Sequence, residues 1–307
     1  MSSRKKDYFR PHGIIVPIVT PFKGNASEEL DFEAVGRLVE YLIQNGVTAL
    51  MVNGTSGEFL LQSRKERKDL IRAVIKEASG RIPVIAGISE ASTMNALELA
   101  KDAEKAGADA VIATGPIYYK TTNEGLFDHF QTILGETNLP LMIYNIPSWL
   151  GYNVPPEIVR KLALKNPGKL CGVKFTTNDL EQFLEYLRSL RNLIPVTIGS
   201  DSLLLSGLQL GAAGGTIGSA NALPRETTQI FNHYASGRFS EAKAIQKKID
   251  GFTVAMSLGC FPAGLKEGLG FLGIDCGDVR PPLVPLTAAE KKLVKRSLEW
   301  KKRELIS

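Results

Sequence analysis

The chain has 307 residues, 44% of them apolar and 22% charged, which suits one large α/β domain with a short appendage and excludes a disordered polymer. No apolar run approaches the ~20 residues of a spanning helix, so no membrane partner is expected. The net charge of +5 would suit nucleic acid, but much of the excess lies at 291–303 beside the apolar stripe Leu293, Val294 and Leu298, which reads as a solvated helix face.

In chain order, residues 1–7 carry Arg4, Lys5 and Lys6 with no apolar core behind them, which argues against a secretory signal. Short runs rich in Val, Ile and Leu then recur at 14–19, 49–52, 84–86, 110–113, 141–144, 170–174, 195–198 and 214–217. Strands buried on both faces have this composition. Amphipathic patterns with marked ends lie between them. Ser63-Arg64-Lys65-Glu66 is a capping box opening a helix that closes at Gly80. Thr121-Thr122-Asn123-Glu124 opens another, and Pro155-Pro156 a third. A helix-closing glycine leads into a strand at Gly46, Gly107 and Gly211 alike, so one βα unit repeats.

Eight such units predict a (β/α)8 TIM barrel over residues 1–223. From Pro224 onward the pattern is helical only, so 224–307 is read as a helical extension packed on the barrel, its last helix opened by Thr287 and Glu290. The competing fold is a doubly wound sheet. Its G-x-G-x-x-G fingerprint is met by Gly268, Gly270 and Gly273, yet a helical pattern precedes it where a strand is required. Cys171, Cys260 and Cys276 are odd in number and lack framework or metal spacing, so the reducing cytoplasm is the expected compartment. Asn25-Ala26-Ser27 and Asn53-Gly54-Thr55 match a glycosylation pattern that has meaning only in a secreted chain.

Function in such a barrel gathers at the carboxyl ends of its strands. There Leu170-Cys171-Gly172-Val173-Lys174-Phe175 ends an apolar strand on a lysine. An uncompensated ammonium is expensive in that position, and a neutral amine is what carbonyl addition requires. The same residue would also be explained by snorkelling or by a carboxylate partner. Tyr144 ends the preceding strand, either as a proton relay or as a packed aromatic. Thr55 and Ser56 sit in a glycine-flanked turn, either an anion cradle or an ordinary βα loop. His12, His129 and His233 are scattered, so no metal site is expected.

Gly54-Thr55-Ser56-Gly57-Glu58, Tyr144-Asn145-Ile146-Pro147, Gly172-Val173-Lys174-Phe175-Thr176 and Gly199-Ser200-Asp201 together resemble the dihydrodipicolinate synthase / N-acetylneuraminate lyase superfamily. The opening Gly13-Ile14-Ile15-Val16-Pro17 to Phe22 is similar as well, and the resemblance runs from about residue 12 to beyond 280. It implies a lyase that forms an imine between Lys174 and the keto group of pyruvate, with no cofactor beyond that covalent adduct. Tyr144 would be the acid and base. Thr55 and Ser56 would hold the substrate carboxylate and orient Tyr144, and Gly199 would wall the pocket. Tyr118 would be lent across a tight-dimer interface, within a homotetramer built as a dimer of dimers.

Two positions depart from the family pattern. Trp149 stands where lysine-pathway synthases usually carry an arginine that organises the aldehyde partner, and an indole cannot replace a bidentate guanidinium. Thr216 stands where members often carry isoleucine. Both count as substrate-binding positions. The expected substrates are therefore a keto acid and an aldehyde joined as a 2-keto-3-deoxy sugar acid such as 2-keto-3-deoxygluconate. The alternatives are 4-hydroxy-tetrahydrodipicolinate synthase (pyruvate and aspartate semialdehyde), N-acetylneuraminate lyase and a keto-deoxy sugar acid dehydratase. A non-catalytic homologue fits poorly with Lys174, Tyr144, Thr55 and Ser56 all present.

Overall fold

The computed structural model describes residues 8–24 and 28–306. The charged start at 1–7 and the Asn25-Ala26-Ser27 triplet lie outside the described residues. Eight parallel strands close into a barrel in sequence order, with β8 pairing back onto β1. They are β1 Gly13–Pro17, β2 Ala49–Val52, β3 Val84–Gly87, β4 Ala110–Ala113, β5 Leu141–Asn145, β6 Leu170–Phe175, β7 Val196–Ile198 and β8 Gly214–Thr216. This is the expected (β/α)8 architecture, and the doubly wound alternative falls with it. Gly268 and Gly270 lie inside a helix, so the fingerprint they complete has no strand to follow.

Each strand is buried throughout because both of its faces are covered. Alternate residues point into the cylinder, where Ile15, Ala49, Met51, Ile85, Ile112, Met142 and Cys171 form one buried cluster. Their neighbours Val16, Leu50, Val52, Ala86, Val111 and Ile143 point outward and join the larger cluster beneath the helices. The period of two is present, but the apolar surroundings on both sides hide it from a hydropathy pattern.

The helices begin where local chemistry can satisfy their free N–H groups. α1 Phe32–Gln44 is capped by Asp31, α2 Arg64–Ala78 by the Ser63–Glu66 capping box, and α3 Thr93–Ala106 by Ser92. Thr122 caps α4 Asn123–Glu136. A short α5 Pro147–Leu150 and then α6 Pro156–Lys165 both start on proline. α7 Leu180–Leu190 and α8 Leu204–Leu210 follow β6 and β7. α9 Pro224–Ala235 packs against β1 and α8 and so completes the outer ring.

Three further helices, α10 Phe239–Ala255, α11 Ala263–Phe271 and α12 Ala288–Ile306, pack on that ring. α12 starts on the Thr287–Glu290 capping box. Its basic residues are partly paired: Lys291 and Lys295 reach Glu267 at 3.5 and 3.3 Å. Lys301 meets Glu226 of α9 at 2.5 Å with both side chains buried. Among the described residues no helix is long and apolar enough to cross a membrane.

Candidate active site

β5 and β6 begin in one register and end in another. Leu141 pairs with Leu170, but Met142 pairs with Gly172, which leaves Cys171 as an extra residue in a bulge. Cys171 faces the interior cluster while Val173 and Phe175 face outward, so the bulge resets the alternation. Lys174 thereby comes directly opposite Tyr144 and points inward with it. The Lys174 Nζ lies 4.0 Å from the centre of the Tyr144 ring, and the lysine is only 4% exposed.

The second contact to the phenol comes from the β2 end. Thr55–Gly57 is one tight turn, and Thr55 Oγ1 lies 3.4 Å from Tyr144 Oη. Ser56 beside it is buried. Two side chains hold this turn from outside: Thr20 Oγ1 and Gln62 Nε2 donate to the Gly57 carbonyl at 2.6 and 2.5 Å. Asn145, the last residue of β5, donates to Asn153 Oδ1 and Tyr186 Oη and accepts from Val154 N–H. It thus fixes both ends of the segment that carries α5.

Lys174, Tyr144, Thr55, Ser56, Gly199, Thr216 and Trp149 all line one cavity of about 830 Å³ at the carboxyl end of the barrel. Gly199 follows β7 and has to be glycine, because a Cβ there would lie 2.0 Å from Thr176 Oγ1. Thr216 is buried and shares a 2.9 Å hydrogen bond with Thr197 on β7, so its hydroxyl already has a protein partner. Trp149 is 63% exposed at the rim, edge-on to Phe261 with ring centres 6.3 Å apart.

Tyr118 is not brought to this cavity within one chain. It is 85% exposed, has a positive φ of 76°, and packs edge-on against Tyr119. Any role at the site therefore belongs to a second copy of the chain. Asp201, in contrast, lines the cavity although sequence reasoning assigns a role only to the Gly199 two residues before it. Its Oδ1 accepts from Ser219 N–H at 2.6 Å. Burial pushes its carboxyl above the usual carboxylate range, against the opposing pull of the Ser219 hydrogen bond and the Lys174 charge. The signal was available, since Asp201 closes the Gly199-Ser200-Asp201 motif three residues past the end of β7.

The site thus holds a buried amine on a phenol face, a hydroxyl-bearing turn touching that phenol, and an open volume beside both. The sequence matches the dihydrodipicolinate synthetase family over residues 10–301. The chain belongs to this family.

Among family members, 4-hydroxy-tetrahydrodipicolinate synthase of Bacillus subtilis is 35% identical over 276 residues, 89% of this chain and 93% of that protein. The enzyme of the same name from Methanocaldococcus jannaschii is 34% identical over 287 residues, 94% of this chain and 97% of its own length. Dihydrodipicolinate synthase from Aquifex aeolicus superposes with a TM-score of 0.89 at 31% identity, covering 94% of this chain and 98% of that one. YagE, an Escherichia coli prophage protein of the same family solved in complex with pyruvate, gives a TM-score of 0.90 at 27% identity, covering 95% and 98%. As a dihydrodipicolinate synthetase family member the chain is an enzyme of the pyruvate-dependent aldolase type.

Proposed function

We propose that this enzyme makes or breaks a carbon–carbon bond between pyruvate and an aldehyde through an imine on Lys174. The observation that carries the reading is the Lys174 amine held on the face of Tyr144, whose hydroxyl touches Thr55. The amine adds to the keto carbon of pyruvate, and Tyr144 passes protons between nitrogen and the new hydroxyl until water leaves. The protonated imine draws electrons from C3, and loss of a C3 proton gives an enamine. In the synthetic direction the enamine carbon attacks the aldehyde carbon, whose oxygen takes up a proton. Water then hydrolyses the imine and frees Lys174. Thr55 and Ser56 hold the pyruvate carboxylate. No cofactor beyond the covalent adduct takes part.

For the aldehyde, the names of the relatives support aspartate semialdehyde, hence 4-hydroxy-tetrahydrodipicolinate synthase, better than they support the sugar-acid cleavage expected from the sequence. One observation favours the second reading. Trp149 lines the rim of the cavity, and Asp201 offers a carboxyl suited to a hydroxylated chain rather than to a second carboxylate. On that reading the substrate is a 2-keto-3-deoxy sugar acid such as 2-keto-3-deoxygluconate.

Borohydride reduction in the presence of pyruvate, followed by peptide mapping, tests the imine. An adduct on Lys174 that is lost in Lys174→Ala is the expected result, and an unmodified Lys174 sinks the reading. Parallel assays of pyruvate consumption with aspartate semialdehyde and of pyruvate release from 2-keto-3-deoxygluconate then separate the two substrates. The working form is proposed to be a tetramer of tight dimers in the cytoplasm, with Tyr118 completing a partner's site. A structural relative described as a monomeric dihydrodipicolinate synthase variant, with a TM-score of 0.91, makes sedimentation the direct check.

A further inference from the structure

The turn that bears Thr55 and Ser56 ends on Glu58, a non-glycine residue with a φ of 55°, in the left-handed region. Its side chain is fully buried, and both carboxylate oxygens are engaged from the far end of the chain. Oε1 lies 2.8 Å from Lys266 Nζ in α11, and Oε2 accepts from the Arg280 backbone N–H at 2.8 Å. Lys266 also donates to the Asp278 carbonyl at 2.9 Å. The Arg280 guanidinium donates to the Leu61 carbonyl and pairs with Glu66 at the start of α2. Phe22 lies beneath both cations, 4.2 Å from Lys266 Nζ and 4.3 Å from Arg280 Cζ. Residues 58–66 are thus tied to 266–280 by one fully buried ion pair and a second that is open to water on the Glu66 side.

We propose that Glu58 and Lys266, with Arg280 behind them, are positioning residues for imine formation. They set the height of the Thr55–Ser56 turn, and through it the phenol of Tyr144. This rests on the imine reading above. At 3.4 Å the Thr55–Tyr144 contact is at the long end of a hydrogen bond, so a displacement of a few tenths of an ångström decides whether it exists. A left-handed glutamate is tolerated at this place because its carboxylate is wanted there. α11 thereby acts on chemistry it does not touch.

Glu58→Gln keeps the size and the Arg280 contact while removing the charge. Glu58→Gln with Lys266→Met removes both charges, which folded proteins tolerate better than one buried charge left alone. The control is the other buried pair, Glu226→Gln with Lys301→Met, which joins α9 to α12 away from the cavity. Each is compared with the unmodified enzyme by thermal unfolding, by borohydride trapping of pyruvate across pH, and by the KM for pyruvate against kcat. Both Glu58 variants should unfold cooperatively yet trap pyruvate about 10- to 100-fold more slowly, with a raised pyruvate KM. The control should trap at the unmodified rate whatever its melting temperature. Folded Glu58 variants with an unchanged trapping rate and pH profile overturn the proposal, as does a control that slows equally. If the unmodified enzyme itself traps no pyruvate, the imine reading fails first and this proposal with it.

Discussion

A phenol that relays protons to an amine has to reach both the nitrogen and a second donor. Tyr144 has its hydroxyl 3.4 Å from Thr55 Oγ1 and its ring face 4.0 Å from the Lys174 nitrogen, which keeps the amine beside the phenol. Tyr144→Phe keeps the ring and removes the relay, so kcat should fall about 10²-fold or more with the fold unchanged, as measured by single-turnover trapping with pyruvate. Wild-type rates in that variant would assign the proton transfers to water. His129 carries a different prediction. Burial holds its imidazole at about 4 against an ordinary 6.5, outweighing a backbone hydrogen bond with Thr114, and Nδ1 is bonded to Thr93. Between these values the unfolded chain binds a proton that the folded chain does not. The contribution to stability is therefore complete above about 6.5 and is lost as pH falls toward 4, by about 3 kcal/mol. Denaturant titrations across that window should show the slope, and His129→Gln should flatten it. Lys174 was legible as a local anomaly, a lysine closing an apolar strand, whereas Tyr144, Thr55 and Ser56 became legible only through the family motifs that contain them. The exposed setting of Tyr118 was not legible, since nothing local in the sequence marks a tyrosine as lying on the surface. Glu58 was visible as a letter of a motif, but its partners Lys266 and Arg280 are more than two hundred residues away.

The strands, and the helix starts marked at Ser63, Thr122, Pro155 and Thr287, were read from the sequence to within a residue or two, because caps and glycines act over a few positions. The predicted run at 14–19, for example, is a strand over Gly13–Pro17, and Ile18 N–H still bonds to the Met51 carbonyl as the chain leaves the ladder. The bulge in β6 was not legible, since Leu170-Cys171-Gly172-Val173 is as apolar as any regular strand. Its consequence can be tested. Cys171→Ala preserves the residue count and should retain pyruvate trapping while losing about 1–2 kcal/mol of stability. Deleting Cys171 removes only the extra residue, so Lys174 stays opposite Tyr144 in an unbroken register and pyruvate trapping should persist. The Ser63 cap makes a simpler case: it accepts from Glu66 N–H, and Glu66 returns the bond. Ser63→Ala should lower stability by about 1 kcal/mol in chemical denaturation, with kcat unaffected.

At the scale of the whole molecule, repetition of one βα unit made the barrel legible, because eight similar pieces have few ways to close. The places of the last four helices were less so. Their amphipathic patterns reveal length and an apolar face but not which helix completes the ring, and α9 does so by packing against β1. Lys301 and Glu226 join the end of the chain to that ring, both buried. Replacing Lys301 alone with methionine leaves a carboxylate without its cation in a dry place and should cost about 3–5 kcal/mol in unfolding free energy.

α5 has a consequence for how this enzyme can change. Its four residues hang between Asn145, anchored by Asn153 and Tyr186, and Gly151 with a φ of 74°. Its tryptophan leans outward on Phe261 and lends nothing to the cylinder wall. With Leu150 packed on the interior cluster as an anchor, the tryptophan position is interchangeable: a substitution there can retune which electrophile is admitted, while the machinery that captures the keto acid goes on working beneath it.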